Sequence, residues 1–553
     1  MEVSAVAARG RAADALRRVR APDGWTAVAV ICAVLVAGPL VGLPISFLTG
    51  HGDALSRFSG LLPEALLSTL GLVAGVGLGT LVLGTGLAAL TAFCDFPGRS
   101  WLEWALVLPL AVPGYVFTLF ALGTLPAGAA AIRSLPGAVA VFTLVLYPYV
   151  YLLARAAFLS QAGALFEAAR GLGLSRVEAI VRVGLPLARP AILGGVALAL
   201  MEALADFGTV NLLGVHTFTD AIYKVWFNAF DREAAMQLAT FLVSITLLLL
   251  ALERLARGRA RYGAQGRALP PIRLRGLAAA AALVLPLALL AVVVAAPLGQ
   301  LGAWAVASIR DGLLAPEFAT AARNSLMLAA MSAVLVGGVA TLLAYGSRAS
   351  RSRRRVAPAA AVRAATIGYG LPGSVVAVAV IAPLRWLDRR IDDAFGSVLG
   401  IDPGLVLTGT VIGLFCAYTV RFLALAFQAV DASLGRIPPD LDEAARGLGS
   451  DRLDVLARVH VPLMRTGLLT AALLVFTEVM KELPATMLLR PLGGDTLAIE
   501  VWQATSESLF KTAALPALLI VLVGLAPVIL MIRLSGRRFS EPQAAVTAGR
   551  WSG

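Results

Sequence analysis

Residues 167–189 read EAARGLGLSRVEAIVRVGLPLAR, and residues 443–465 read EAARGLGSDRLDVLARVHVPLMR. Thirteen of the 23 positions are identical without a gap, at an offset of 276 in a chain of 553 residues. A repeat that long at half the chain length implies two homologous halves. Glu167-Ala168-Ala169-Arg170 is a good helix former, and Gly171 and Gly173 break it. A second amphipathic stretch follows from Ser175 to Val183, and Pro186 precedes the next apolar run. A buried membrane helix would not tolerate this charge density. The segment therefore reads as a helix–turn–helix in a loop. A helix lying on lipid would not require both copies to keep the glycine spacing and the downstream proline.

Outward from the repeat, the chain is apolar throughout. It is 59% hydrophobic and 14% charged, with a mean hydropathy of +0.84. Soluble chains are nearer 45–50% apolar and about 25% charged. That excludes an ordinary soluble enzyme, a disordered protein, and a soluble protein with one anchor. About a dozen runs reach the length needed to cross a bilayer. They lie near 25–48, 64–93, 102–125, 136–158, 184–213, 235–254, 276–303, 324–346, 358–386, 404–430, 466–490 and 512–533. The expected fold is an all-α integral membrane protein of about 12 transmembrane helices in two homologous six-helix halves.

The expected organisation is a cytoplasmic arm over 1–24, a first half over 25–256, a basic linker over 257–275, a second half over 276–535 and a tail over 536–553. The repeat loops fall near 164–189 and 440–465. The first run follows an Arg-rich start and lacks a clear cleavage site, so it reads as a retained helix. With the N-terminus inside, Lys and Arg are roughly threefold more numerous on the inside loops, which places both termini in the cytoplasm. The net charge of +13 then belongs to loops at a bilayer surface, not to a nucleic-acid interface. Cys32, Cys94 and Cys416 are far apart, as are His51, His216 and His460, so neither disulfides nor a metal site is expected.

Ionisable residues inside apolar spans are expensive and mark function by default. Glu202 and Asp206 lie in the fifth run; Glu478, Lys481 and Glu482 lie in the eleventh. The 276 offset sets Glu478 on Glu202 and Glu482 on Asp206. Each half thus places two carboxylates four residues apart, on one helix face. Two such faces meeting across a pseudo-twofold would line a translocation pathway. Helix-pairing hydrogen bonds, or neutralisation by Lys481, would use the same residues. Dense carboxylates suit a cation, and hard oxygen ligands suit a hard ion such as ferric iron; an organic cation fits as well. Pro113-Gly114 and Pro372-Gly373 predict breaks or kinks in the third and ninth runs.

The repeated segment resembles the EAA loop of the binding-protein-dependent ABC transporter permeases, and the resemblance covers both halves. It implies that each loop is a coupling helix seated in a cytoplasmic ATP-binding subunit. Glu167, Ala168, Gly171, Glu443, Ala444 and Gly447 would then be the docking residues. The approach to the second loop is about seven residues longer than the first, counted from Tyr418 and Tyr149. The only lysines, Lys224, Lys481 and Lys511, do not follow glycine, so no phosphate-binding loop is present. The resemblance therefore implies separate ATP-binding cassette subunits, two of them, with an extracytoplasmic substrate-binding protein and a bacterial inner-membrane location. No cofactor and no catalysis of its own are expected. Fused halves, with Leu204–Thr209 and Lys481–Thr486, look most like the ferric iron permeases; thiamine and phosphonate permeases are the alternatives. An ion-driven secondary transporter also shows repeats and buried carboxylates, but has no use for two coupling loops.

Overall fold

The computed structural model describes residues 24–49, 58–125, 128–160, 168–257, 271–349, 356–399 and 404–539. The principal helices of the first half are α1 (Gly24–Thr49), α2 (Leu61–Phe93), α3 (Arg99–Ala105), α4 (Gly114–Thr124), α5 (Leu135–Ser160), α6 (Leu185–Ala205), α7 (Phe207–Leu212), α8 (Phe218–Phe227) and α9 (Arg232–Arg257). Those of the second half are α10 (Gly276–Arg310, with a π-turn over Ala291–Ala295), α11 (Phe318–Ala349), α12 (Val356–Ala365), α13 (Gly373–Leu399) and α14 (Val411–Leu434). They continue as α15 (Pro439–Gly447), α16 (Arg465–Met480), α17 (Pro484–Leu489), α18 (Leu497–Ser506) and α19 (Phe510–Phe539). Among the described residues, β-structure is a single parallel bridge, in which Cys94 and Asp95 pair with Ile272 and Arg273.

Among the described residues, nine helical segments are long and apolar enough to cross a membrane, or up to 11 if each of two sharply bent pairs is one span. The protein is thus an all-α membrane protein. The expected third span, 102–125, is one of the bent pairs: Arg99–Ala111 and Gly114–Thr124 meet at 88°. Val112 is extended (φ −100°, ψ 106°) before Pro113, as a residue preceding proline must be. The ninth run breaks at the matching Pro372, between a short helical turn and α13. The tenth begins only at Val411. The preceding loop is held instead by Asp388, which accepts the backbone N–H groups of Val406, Leu407 and Thr408.

The helices form two compact units. One comprises residues 1–40, 332–369 and 418–475; the other comprises 41–331, 370–417 and 476–553. The larger unit is built on α2, α5 and α6, which pack against one another, with α9 on α6 and α13, and α10 and α18 on α19. Small residues allow these approaches, as in membrane helices generally. A Cβ at Gly195 of α6 would lie 2.6 Å from the Val150 Cα of α5. The smaller unit contains the end of α11, most of α14, and α15. There a Cβ at Gly467 would lie 2.4 Å from Ser433 Cβ.

Candidate coupling loops and translocation site

The two repeat loops fold alike. In the first, residues 168–171 are the end of a helix; Glu167 lies outside the described residues. Gly173 turns left-handed at φ 93°, with its N–H on Arg170 O and the Leu174 N–H on Ala169 O. In the second, Gly449 turns at φ 85°, with its N–H on Arg446 O and the Ser450 N–H on Ala445 O. Glycine reaches this region without steric cost, which is why it ends helices in this way. A capped helix follows each turn. Ser175 and Glu178 form a reciprocal capping box, whose hydrogen bonds hold the Glu178 carboxyl below its ordinary range. Asp451 accepts the Asp454 N–H at 2.7 Å. A π-turn then leads toward the next helix in both, over Ile180–Gly184 and Val455–His460.

Ala168 and Gly171 are exposed, as are Glu443, Ala444 and Gly447. A Cβ at Gly171 or Gly447 meets nothing within 4 Å, so close packing within the described chain is not what makes these positions small. The sequence reading passed over the most telling side chains. Leu172 and Leu448, 276 residues apart, are 86% and 88% exposed. Val177 and Leu453, also 276 apart, are exposed beside them. Their identical offset was the available signal. Each loop presents a small apolar knob on a charged rim.

The carboxylates are arranged differently from the expectation. Helix α6 stops at Ala205 and α16 at Met480. Glu202 and Asp206 therefore do not share one helical face, nor do Glu478 and Glu482. Asp206 instead caps α7: Oδ1 accepts the Thr209 N–H and Oδ2 the Thr209 hydroxyl, both at 2.8 Å. Glu482, 4% exposed, lies one residue before the cap position Leu483 of α17 and takes up the Ala485 N–H through Oε1 at 3.0 Å. Pro484 at the first turn of α17 sharpens the break. The repeat thus encodes a pair of broken helices, each restarted beside an acidic residue that accepts an N–H of the new helix. Lys481 pairs with Glu478 at 2.9 Å. The four carboxylates do not form one ligand set; among the described residues, no three His, Cys, Asp or Glu side chains are grouped to hold a metal.

The two breaks meet at Tyr115. A Cβ on Gly208 of α7 would lie 2.7 Å from Leu483 Cδ2 and 2.9 Å from Tyr115 Cβ. The Tyr115 hydroxyl donates to Lys481 O at 3.4 Å. On the other side, a Cβ on Gly114 would lie 2.5 Å from Thr209 Oγ1 and 2.7 Å from Asp206 Oδ2. The Pro-Gly bend thus sets the start of α4 directly on the cap of α7. Tyr115, Gly208 and Leu483 thus pack closely together between the two helix breaks, with Asp206 and Glu482 nearby.

Beyond α7 lies a polar cluster that the sequence reading missed. Asp220, almost wholly buried, takes Lys224 Nζ at 2.7 Å and Asn211 Nδ2 at 2.9 Å, and lies 3.0 Å from His216 Nδ1. Trp502 Nε1 donates to Asn211 Oδ1. The Asp220–Lys224 spacing was its only local sign.

Broken helices, a body of bilayer-length helices and a twice-repeated surface loop define a multi-span membrane protein built by duplication. The chain belongs to the family described as binding-protein-dependent transport system inner membrane component, whose model matches it twice, over residues 81–261 and 340–541. It is thus an ABC-type permease subunit with the domain fused in duplicate. It is 26% identical to the Fe(3+)-transport system permease protein FbpB 2 of Haemophilus influenzae, across 93% of this chain and 98% of that one. It is 25% identical to the probable ABC transporter permease protein y4fN of Sinorhizobium fredii, across 88% and 91%. A probable molybdenum ABC transporter permease of Haloferax volcanii matches at 31% over 41% of this chain and 88% of its own length.

Proposed function

We propose that this chain is the membrane subunit of an ATP-driven importer for ferric iron. Its two halves, 25–256 and 276–535, would form the pathway in one polypeptide, joined by the basic linker 257–275. Arm 1–24 and tail 536–553 would lie in the cytoplasm with both repeat loops. Two separate ATP-binding cassette subunits would seat Ala168, Gly171 and Leu172 in one groove and Glu443, Ala444, Gly447 and Leu448 in the other, with Glu167 completing the first contact. An extracytoplasmic binding protein would deliver substrate. Closure of the ATPases would then rock the halves and separate the close-packed Tyr115, Gly208 and Leu483.

The observation that carries the coupling assignment is the pair of loops with matched left-handed glycines and matched exposed leucines. An exposed leucine costs favourable burial of about 1.5–3 kcal/mol, and two at the same offset support one partner groove for each loop. The iron assignment rests on the Haemophilus relative, alike over nearly both whole chains, and on the acidic Asp206 and Glu482 near Tyr115. Carboxylates favour a cation over an oxyanion such as molybdate.

Uptake of radiolabelled ferric iron into proteoliposomes holding the chain, its ATPase and its binding protein tests the reading. ATP-dependent uptake that is lost with Glu202→Gln or Glu478→Gln supports it, provided ATPase capture is intact. Uptake of thiamine, a phosphonate or molybdate instead would remove the iron assignment and keep the importer. Uptake driven by a proton gradient without ATP would overturn both.

A further inference from the structure

The second coupling helix is bound to its own unit by a buried ionic clamp. Arg348, at the end of α11 and 5% exposed, donates through Nε and Nη2 to both oxygens of Asp442 in α15, at 2.9 and 3.1 Å. Its Nη1 also donates to Leu434 O and Ile437 O, at 2.7 and 3.0 Å, where α14 ends. His460, fully buried in the π-turn, sets Nε2 2.7 Å from Asp442 Oδ1. Tyr345, one turn before Arg348, packs its ring 5.2 Å from that of His460 and donates to Arg452 O at 2.8 Å. One guanidinium thus ties together α11, α14 and α15, and the imidazole adds the segment after α15. The fork geometry of arginine suits this bidentate contact.

The first half does not repeat these residues; its own part-buried ion pair, Arg155 with Glu103, joins α5 to α3. At the 276 offset, Asp442 faces Phe166 and His460 faces Gly184. Thr69 and Ser325 accept the N–H groups of Phe218 and Leu497 in the same way, and that match puts Ala92 in the place of Arg348. All three charged or polar members are replaced together, although the docking residues around them are kept.

We infer that Arg348, Asp442 and His460 are positioning residues that make the second coupling loop the rigid one, carrying ATPase movement straight into α11, while the first loop has no counterpart of these three residues. This inference rests on the coupling role proposed above. Burial would raise the Asp442 carboxyl, but hydrogen bonds and charge from Arg348 and His460 outweigh it and hold it low. The carboxylate therefore stays charged and the clamp closed at neutral pH.

The test uses the complete importer in proteoliposomes, read as ATPase captured, ATP hydrolysed and ferric iron imported per ATP. Arg348→Ala and Arg348→Lys are expected to keep ATPase capture and lower import per ATP about fivefold or more, the lower range of an allosteric coupling. Lysine fails with alanine because it keeps the charge and loses the fork. His460→Ala is expected to fall likewise, and His460→Gln, whose amide reaches the Nε2 position, to recover most of the loss. The His460 pair serves if the Arg348 variants do not accumulate. Unchanged import per ATP in Arg348→Ala and His460→Ala would overturn the clamp. If Leu448→Glu leaves ATPase capture unchanged in the otherwise wild-type chain, the docking assignment itself fails, separately from the clamp.

Discussion

Asp206 and Glu482 show how much one side chain decides. Each ends one helix and begins another by accepting an N–H three residues ahead. Asp206→Ala removes an acceptor used twice and is expected to lower stability by about 1 kcal/mol, the usual worth of a cap. Asp206→Asn keeps an acceptor and should stay within a few tenths of a kcal/mol of wild type on the same scale. Thermal unfolding in detergent separates the two. If the asparagine variant is stable yet loses iron uptake, the charge acts in transport as well as in capping. A clamp residue carries a pH dependence of known sign. Asp442 has a lowered pKa in the folded chain, so its stabilisation is complete above its unfolded value, near 3.9. It is lost as pH falls through the folded value. Below about pH 4 the wild type should therefore lose thermal stability more steeply than Asp442→Asn.

Among the elements, the coupling loops were the most legible. Glu-Ala-Ala before Gly-Leu-Gly predicts a helix, a break and a restart, because each step depends only on neighbouring residues. The loops have that form at Gly173 and Gly449. What the pattern did not reveal was the role of the leucine between the glycines. Its exposure depends on how the whole loop stands off the body. Leu172→Glu and Leu448→Glu are each expected to weaken ATPase capture about tenfold or more, the worth of one buried leucine. Titrating the ATPase onto the permease in nanodiscs checks this, and unchanged affinity in both would remove the docking role. The carboxylate spans were less legible. Hydropathy continues across Asp206 and Glu482, so the runs 184–213 and 466–490 each read as one span despite their polar interruptions. The breaks arise because an Asp or Glu side chain competes for backbone N–H groups, and apolar periodicity does not register that.

At the scale of the whole molecule, one chain carries both repeat loops, and with each seating an ATPase as proposed, native mass spectrometry of the assembled importer should find one permease to two ATPases. Two permease chains per complex would contradict a self-sufficient duplicated body. The amino-acid sequence by itself determined the membrane class, the duplication and the family. Those depend on composition and on order along the chain, and a bilayer accepts few backbone solutions. It also placed the loops and named the acidic residues. Only the tertiary structure decided that Tyr115 lies between the two breaks, since residues 115, 208 and 483 are distant in sequence and meet through the Pro113-Gly114 bend. The same holds for the clamp. Arg348 stands 94 residues from Asp442, and a pairing across that distance is fixed by packing of α11, α14 and α15, with no local pattern to announce it.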